Sequence, residues 1–253
     1  MRKKRSLIIG LVLLIAAAVT VAAALIPRKH EVSQPLILSS QLPSKDGVIP
    51  VEIIRANASF PRPDDVQDFS CVIQNNTSKG IRSVVLAYTI VTNNNGTENS
   101  NVISLWRESL IHPDVREAHH FRPLGSGEQY RFQSSGETSF GTPNVISRIE
   151  LRLDYVEFED GTRLGLDKNG SRIIESIRQG AENYKAWLVQ RYVELGKSAD
   201  AVSDLLKVQD LPSELQSTNM YVNQGAKSYR SHMLDVYTAH GSGALEKYLN
   251  QAK

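Results

Sequence analysis

The chain has 253 residues, 41% of them hydrophobic and 22% charged, with a formal net charge of +2 and a single cysteine. Setting aside the cluster Arg2-Lys3-Lys4-Arg5 leaves 25 basic residues against 27 acidic, a formal −2, so the bulk lacks the excess positive charge of a nucleic-acid binder and no nucleic-acid partner is expected. One cysteine excludes an intrachain disulfide, so the globule must be held by its core alone.

Residues 1–27 are read as a signal-anchor or transmembrane helix. Leu7–Ile26 (LIIGLVLLIAAAVTVAAALI) carries no charge, and its long apolar side chains are Leu7, Ile8, Leu11, Leu13, Leu14, Ile15, Val19, Leu25 and Ile26 among others. At about 1.5 Å per residue such a run spans roughly 30 Å, the thickness of the hydrocarbon core of a bilayer. Four cations before it and Arg28 and Lys29 after it favour an inside N-terminus and an extracytoplasmic bulk, anchored in membrane lipid by a single pass. The competing reading is a cleaved signal peptide, with Ala22-Ala23-Ala24 as the cleavage motif and a secreted or periplasmic product. No cysteine follows the run, which excludes a bacterial lipoprotein anchor.

Residues 28–46 mix charge, Pro and Ser and are expected to form an irregular linker. Residues 47–168 are expected to form an antiparallel β-sandwich of seven or eight strands. The strand candidates are Val51–Ala58, Phe69–Gln74, Ile81–Thr92, Val102–Leu110, Ala118–Phe121, Gln129–Gln133, Ile146–Phe158 and Arg163–Leu166. Ile81–Thr92 is apolar on both faces, with Leu86, Tyr88 and Ile90 on one and Val85, Ala87 and Val91 on the other, as in a central strand. Asn93-Asn94-Asn95-Gly96 supplies left-handed turn chemistry. In Ile146–Phe158, Ile149, Leu151, Leu153 and Tyr155 point inward. The alternation then slips at Val156 and Phe158, which predicts a bulge or a covered outer face. Glu159-Asp160-Gly161-Thr162 predicts a type I′ hairpin.

Residues 169–253 switch to helical periodicity. Ser171 is a candidate cap, and Ile173, Ile174, Ile177, Ala181, Tyr184, Leu188, Tyr192 and Leu195 form one stripe, interrupted by Gly180 at a cost of about 1 kcal/mol against Ala. Gly196 closes this helix, Ser198 opens a shorter one ending before Pro212, and a third runs to Gly241 with a last turn or two beyond it. The helices are read either as a separate bundle or as packed on the sandwich.

The runs FSCVIQNNTSKGIRSVVLAYTIV (Phe69–Val91), PLGSGEQ (Pro123–Gln129) and YVEFEDGTRLG (Tyr155–Gly165) resemble segments of immunoglobulin-like and fibronectin-III-like sandwiches in bacterial envelope proteins of unknown function. That resemblance covers about half of the chain and implies a fold. Such sandwiches serve as adhesins, scaffolds, carbohydrate modules and subunits of secretion machines, and fold does not decide among them.

No catalytic or cofactor-binding set emerges from the sequence, and no cofactor is expected. The densest polar cluster is His112-Pro113-Asp114-Val115-Arg116-Glu117-Ala118-His119-His120. Glu117 and His119, two apart on a strand, share a face and are candidate ligands of one metal, with His112, Asp114 or His120 to complete it, although the spacing fits no established signature. Glu157 and Glu159 are a further candidate pair on one face, Cys71 reads as a small buried hydrophobe, and Trp106 is the one sandwich tryptophan available to a carbohydrate face. Asn57, Asn75, Asn76, Asn95 and Asn169 begin glycosylation triplets. The expected function is a membrane-anchored, non-enzymatic binding or scaffold protein with a protein partner in the cell envelope. The alternative is an extracytoplasmic metal-dependent module or hydrolase built on His112–His120.

Overall fold

The computed structural model describes residues 35–44, 49–109, 122–134 and 137–251. The apolar run Leu7–Ile26 and the candidate ligands His112, Glu117, His119 and His120 lie outside these residues. Among the described residues no helix is long and apolar enough to cross a membrane.

Among the described residues nine strands are followed by four helices. The strands are β1 (Leu36–Ser40), β2 (Val51–Ser59), β3 (Asp65–Asn75), β4 (Ile81–Asn94), β5 (Thr97–Glu108), β6 (Gln129–Ser134), β7 (Thr138–Ser139), β8 (Val145–Phe158) and β9 (Arg163–Leu164). The helices are α1 (Gly170–Glu194), α2 (Ala199–Lys207), α3 (Met220–His240) and α4 (Ser242–Gln251), with a 3-10 turn at Ser213–Leu215. One sheet has the order β1-β8-β4-β5 with β9 beside β8; the other has the order β2-β3-β6 with β7 beside β3.

Two findings correct the sequence reading. Residues 36–40, inside the stretch expected to be irregular, form β1. That strand lies parallel to β8, so the first sheet is mixed where an all-antiparallel arrangement was expected; the other pairings are antiparallel. Pro35 and Pro43 flank β1 without entering it, so neither removes a ladder hydrogen bond. Ile37 packs on the core while Leu36 and Leu38 point out, a two-residue period too short to stand out in a Ser- and Pro-rich stretch.

The two sheets share one core. Val51, Ile53, Phe69, Cys71 and Ile73 from β2 and β3 meet Leu86, Tyr88, Ile90, Ile149, Leu151 and Leu153 from β4 and β8. Phe69 stacks on Tyr88 with ring centroids 4.1 Å apart, tying the sheets at mid-strand. Cys71 is fully buried there, and burial pushes its thiol up to about 12, which keeps it protonated and unreactive. Asn75 is buried as well. Its amide donates to the carbonyls of Lys79 (2.8 Å), Leu124 (2.9 Å) and Gly125 (3.1 Å), which knits two turns together and leaves no space for a glycan.

The predicted slip in β8 is a bulge. Val85 pairs with Tyr155 and Leu86 pairs with Leu153, leaving Asp154 as the extra residue. Beyond it the faces exchange: Val156 and Phe158 join the inter-sheet core, and Tyr155 turns to the helices. The bulge also anchors the first helix. Asp154 is buried; its carbonyl accepts from the Asp167 amide (2.8 Å) and its carboxylate from the amides of Lys168 (3.2 Å) and Asn169 (3.0 Å). Asn169, not Ser171, is the N-cap of α1; its own side chain makes no capping bond, and the Asp154 carboxylate sits close by on the approaching backbone. Gly165 (φ +110) passes so near that a Cβ would sit 2.4 Å from the Asp154 carbonyl oxygen.

The turns follow their residues. Asn95 (φ 51) and Gly96 (φ 90) form the left-handed pair between β4 and β5. Between β8 and β9 Asp160 is not left-handed. The Phe158 amide donates to the Thr162 carbonyl (2.9 Å), closing a loop of three residues, 159–161, in which Gly161 (φ 80) returns its amide to the Phe158 carbonyl (3.0 Å), so the expected type I′ turn is absent.

The helices pack on the outer face of the first sheet. Val85 and Tyr155 form one buried cluster with Ile174, Ile177, Tyr184, Leu188, Tyr229 and Met233. The predicted stripe of α1 is buried as far as Tyr192, while Leu195, beyond the last turn, is exposed. Gly180 and Gly225 meet at the crossing of α1 and α3. A Cβ on Gly180 would lie 1.9 Å from the Val222 carbonyl oxygen, and one on Gly225 would lie 1.9 Å from the Ile177 carbonyl oxygen.

Candidate functional site

Three features of the described surface and interior invite a functional reading. The first is a buried charged network where α1 meets the sheet. Glu108 ends β5, Glu157 nears the end of β8, Ser83 lies on β4 between them, and Arg178 reaches in from α1. Arg178 Nε donates to Glu108 Oε2 (2.8 Å), and its terminal nitrogen donates to Glu157 Oε2 (2.7 Å) and to Ser83 Oγ (2.9 Å). The Ser83 hydroxyl faces Glu108 Oε2 at 2.8 Å, and the Tyr155 hydroxyl donates to Glu157 Oε2 at 3.2 Å. Burial pushes the Glu157 carboxyl up, but the hydrogen bonds and charge of Arg178 outweigh it and leave the group below its ordinary value. Burial likewise works against the Arg178 charge, and the two glutamates more than offset it. Each group is satisfied by the others, so the set acts as a lock between helix and sheet. Glu157, expected beside Glu159, turns inward instead, and Glu159 is exposed on the hairpin.

Nearby, His232 of α3 is buried, and desolvation lowers it to about 4, so it is neutral at pH 7. Glu108, Lys227 and Asp235 line the same small recess. Trp106, the tryptophan available to a carbohydrate face, donates from Nε1 to Gln224 Oε1 (2.8 Å) and packs beside the helices, so it is not presented on an open sheet face.

The second feature is the half of the first sheet's outer face that the helices leave open. Register puts Leu38, Glu150, Thr89 and Val102 in one row across the sheet, and Leu36, Arg148, Val91 and Ser100 in the next. Leu36 is 66% exposed, Leu38 46% and Val102 57%. Arg148 spans the face, donating to both carboxylate oxygens of Glu98 (2.6 and 3.1 Å) and to Glu150 (2.7 Å), and it holds Glu98 below the usual carboxylate range. The result is a surface of exposed leucine and valine around a fixed cluster of charge.

The third feature is a groove of about 920 Å³ at the edge of the same sheet, between the chain leaving β1 and the β8–β9 hairpin. Its walls include Leu42, Pro43, Leu164 and Leu166, with Arg163 at its rim.

Among the described residues no group of three or more His, Cys, Asp or Glu is placed to hold a metal ion. Sequence reasoning missed the Arg178 lock. Its signal was a charge at each of two apolar positions: Glu157 where the β8 alternation slips, and Arg178 four residues after Ile174 beside the α1 stripe.

No family model matches the chain, and no curated protein matches it. Solved structures that match include the X-ray structure of a Northeast Structural Genomics Consortium target, which aligns with 45% of this chain and 73% of its own at 14% identity, with a TM-score of 0.23. A likeness at that level carries no argument about fold or function.

Proposed function

We propose that the chain is a membrane-anchored, extracytoplasmic, non-enzymatic binding or scaffold protein of the bacterial envelope, with an immunoglobulin-like pair of sheets and a docked helical region offered to a protein partner. The apolar run with its preceding cations supports the anchor, and only residues 27–35 separate that run from β1. The observation that carries the binding role is the open outer face of the first sheet, where Leu36, Leu38 and Val102 stand exposed around the Arg148 cluster. Exposed apolar side chains set on either side of a fixed charge cluster on one sheet face offer a partner apolar contact and charge recognition together. The Arg178 network supports the same reading, since its buried acids are engaged in holding the helices that frame this face.

A photo-crosslinking amino acid placed at Leu38 or Val102 in the full chain tests this in cells. The expected result is a discrete adduct with one envelope protein from both positions, none from Ile54 on the other sheet, and loss of the Val102 adduct when Leu38→Glu is added. Absence of a position-specific adduct at both sites contradicts the reading.

A further inference from the structure

We propose that the groove beside β1 is a binding site for a long-chain fatty acid, with the carboxylate on Arg163 and the acyl chain lying against the apolar wall. The inference is independent of the partner-binding face, which lies on the broad side of the sheet.

The groove exists because the edge of the first sheet is interrupted. β1 pairs with β8 at Arg148–Arg152 and β9 pairs with it at Val156–Glu157 along the edge away from β4, so the β8 residues between them have neither strand beside them. β1 does not continue to fill the gap, because the chain is drawn toward the other sheet. The Gln41 side chain donates to the Ile53 carbonyl (3.0 Å) and accepts from the Ile53 amide (3.1 Å), as a strand residue's backbone would. The opening left at this seam reaches Leu153 and Phe158, two members of the inter-sheet core. Leu42 and Pro43 form one wall, and Leu164 and Leu166 the other. Leu164 is 37% exposed and Leu166 68%, so two apolar side chains line this opening together.

Among the described residues the charged members of its lining are Lys79, Arg152 and Arg163. Two of the cations are matched from outside the lining: Lys79 Nζ lies 2.5 Å from Asp160, and Arg152 lies 3.3 Å from Asp154. Arg163 has no carboxylate partner among the described residues and lies over the Tyr155 ring, 5.8 Å from its centroid. Arg163 is exposed, and an exposed guanidinium suits a carboxylate. The hydroxyls of Ser40 and Thr162 stand in the same lining as further donors. A volume of about 920 Å³ is within the range of small-molecule clefts, roughly 300–1,000 Å³. The two requirements together, an apolar wall and a cation with no carboxylate partner among the described residues, describe an anionic head on an apolar chain more closely than an acidic peptide, whose backbone would need hydrogen-bonding partners along the wall.

The full chain in phosphatidylcholine nanodiscs, irradiated with a diazirine-bearing palmitate and mapped by peptide mass spectrometry, tests the assignment. Saturable labelling of residues 40–44 and 162–166 is expected, displaced by palmitate and at least about 10-fold less well by hexadecanol, which has the chain without the charge. Arg163→Gln and Arg163→Glu, exposed changes that leave the fold intact by circular dichroism, are each expected to lower labelling about 10-fold or more. Labelling that does not saturate, that hexadecanol displaces equally, or that survives both Arg163 changes overturns the proposal. Displacement by a short Leu/Glu peptide but not by palmitate assigns the groove to a protein segment and overturns it as well.

Discussion

Gly180→Ala is expected to destabilise the protein by about 2–4 kcal/mol, although alanine is the better helix former by about 1 kcal/mol. The reason is the crossing of α1 and α3. The new methyl would meet the Val222 carbonyl oxygen at 1.9 Å and its carbon at 2.7 Å, and backbone atoms cannot rotate away as a side chain would. The helices must therefore separate, and the buried cluster of Ile177, Tyr184, Tyr229 and Met233 packed at their interface opens with them. Gly225→Ala meets the Ile177 carbonyl oxygen at the same distance and should cost as much. The double variant should cost well under the sum, because one separation relieves both clashes. Gly243→Ala, where a Cβ meets nothing within 4 Å, is the control and should be neutral or mildly stabilising. Urea midpoints of the full chain for these four variants decide the matter. Additive losses, or no loss at Gly180, would mean that the crossing is not set by the glycines.

Arg178→Met is expected to cost about 3–5 kcal/mol at pH 7, because it leaves two buried carboxylates facing each other without their shared cation. Glu108 and Glu157 keep side-chain exposures of 0% and 6%, so water cannot take the place of the guanidinium without opening the helix–sheet seam. The pH dependence carries the sign. In the wild type Glu157 is held below its ordinary value, so its contribution is fully present above the unfolded-state value of about 4.3 and is lost as pH falls through the folded one. In Arg178→Met burial is no longer opposed and the carboxyl rises, so protonation relieves the variant while it weakens the wild type. The gap between the two should be widest near pH 7 and narrow below about pH 4. Glu157→Gln added to Arg178→Met should recover part of the loss at pH 7. A gap that stays constant with pH would assign the cost to lost side-chain packing instead of charge.

Much of this architecture can be read from side-chain period, and the parts that cannot share a physical cause. β4 is legible because both of its faces are buried, one by the second sheet and one by the helices, and its sequence is apolar in both phases. The β8 bulge is legible as a slip in alternation, yet its use is not: Asp154 looks like an outward-facing acid until the start of α1 is brought to it by Gly165 and Asp167. Tyr155 falls on the wrong face in the sequence reading for the same reason, since one extra residue reverses the phase. β1 is hidden because an edge strand buries only one side chain in two and its partner lies over a hundred residues away. Gly180 reads as a helix defect from propensity alone; its role depends on Gly225, which no local pattern connects to it.

The site residues divide along the same line. Arg178, Glu108, Glu157 and Ser83 come from four elements far apart in sequence, so no spacing could announce them. The open face with Leu38 and Val102, and the groove with Arg163, exist only through strand order, the first because helices cover part of the sheet and the second because β1 and β9 leave a gap along β8.

The central claim is that the folded region from Leu36 onward stands on the outer side of a membrane that the Leu7–Ile26 run crosses. The sole native cysteine is buried in the inter-sheet core with its thiol pushed up to about 12, so a cysteine placed at the exposed Val102 can be labelled without background. With Val102→Cys in the full chain and a charged, membrane-impermeant maleimide applied to intact bacterial cells, labelling of a membrane-fraction protein before lysis is the predicted result. Protection in intact cells with labelling only after lysis would place the globule on the cytoplasmic side and contradict the account.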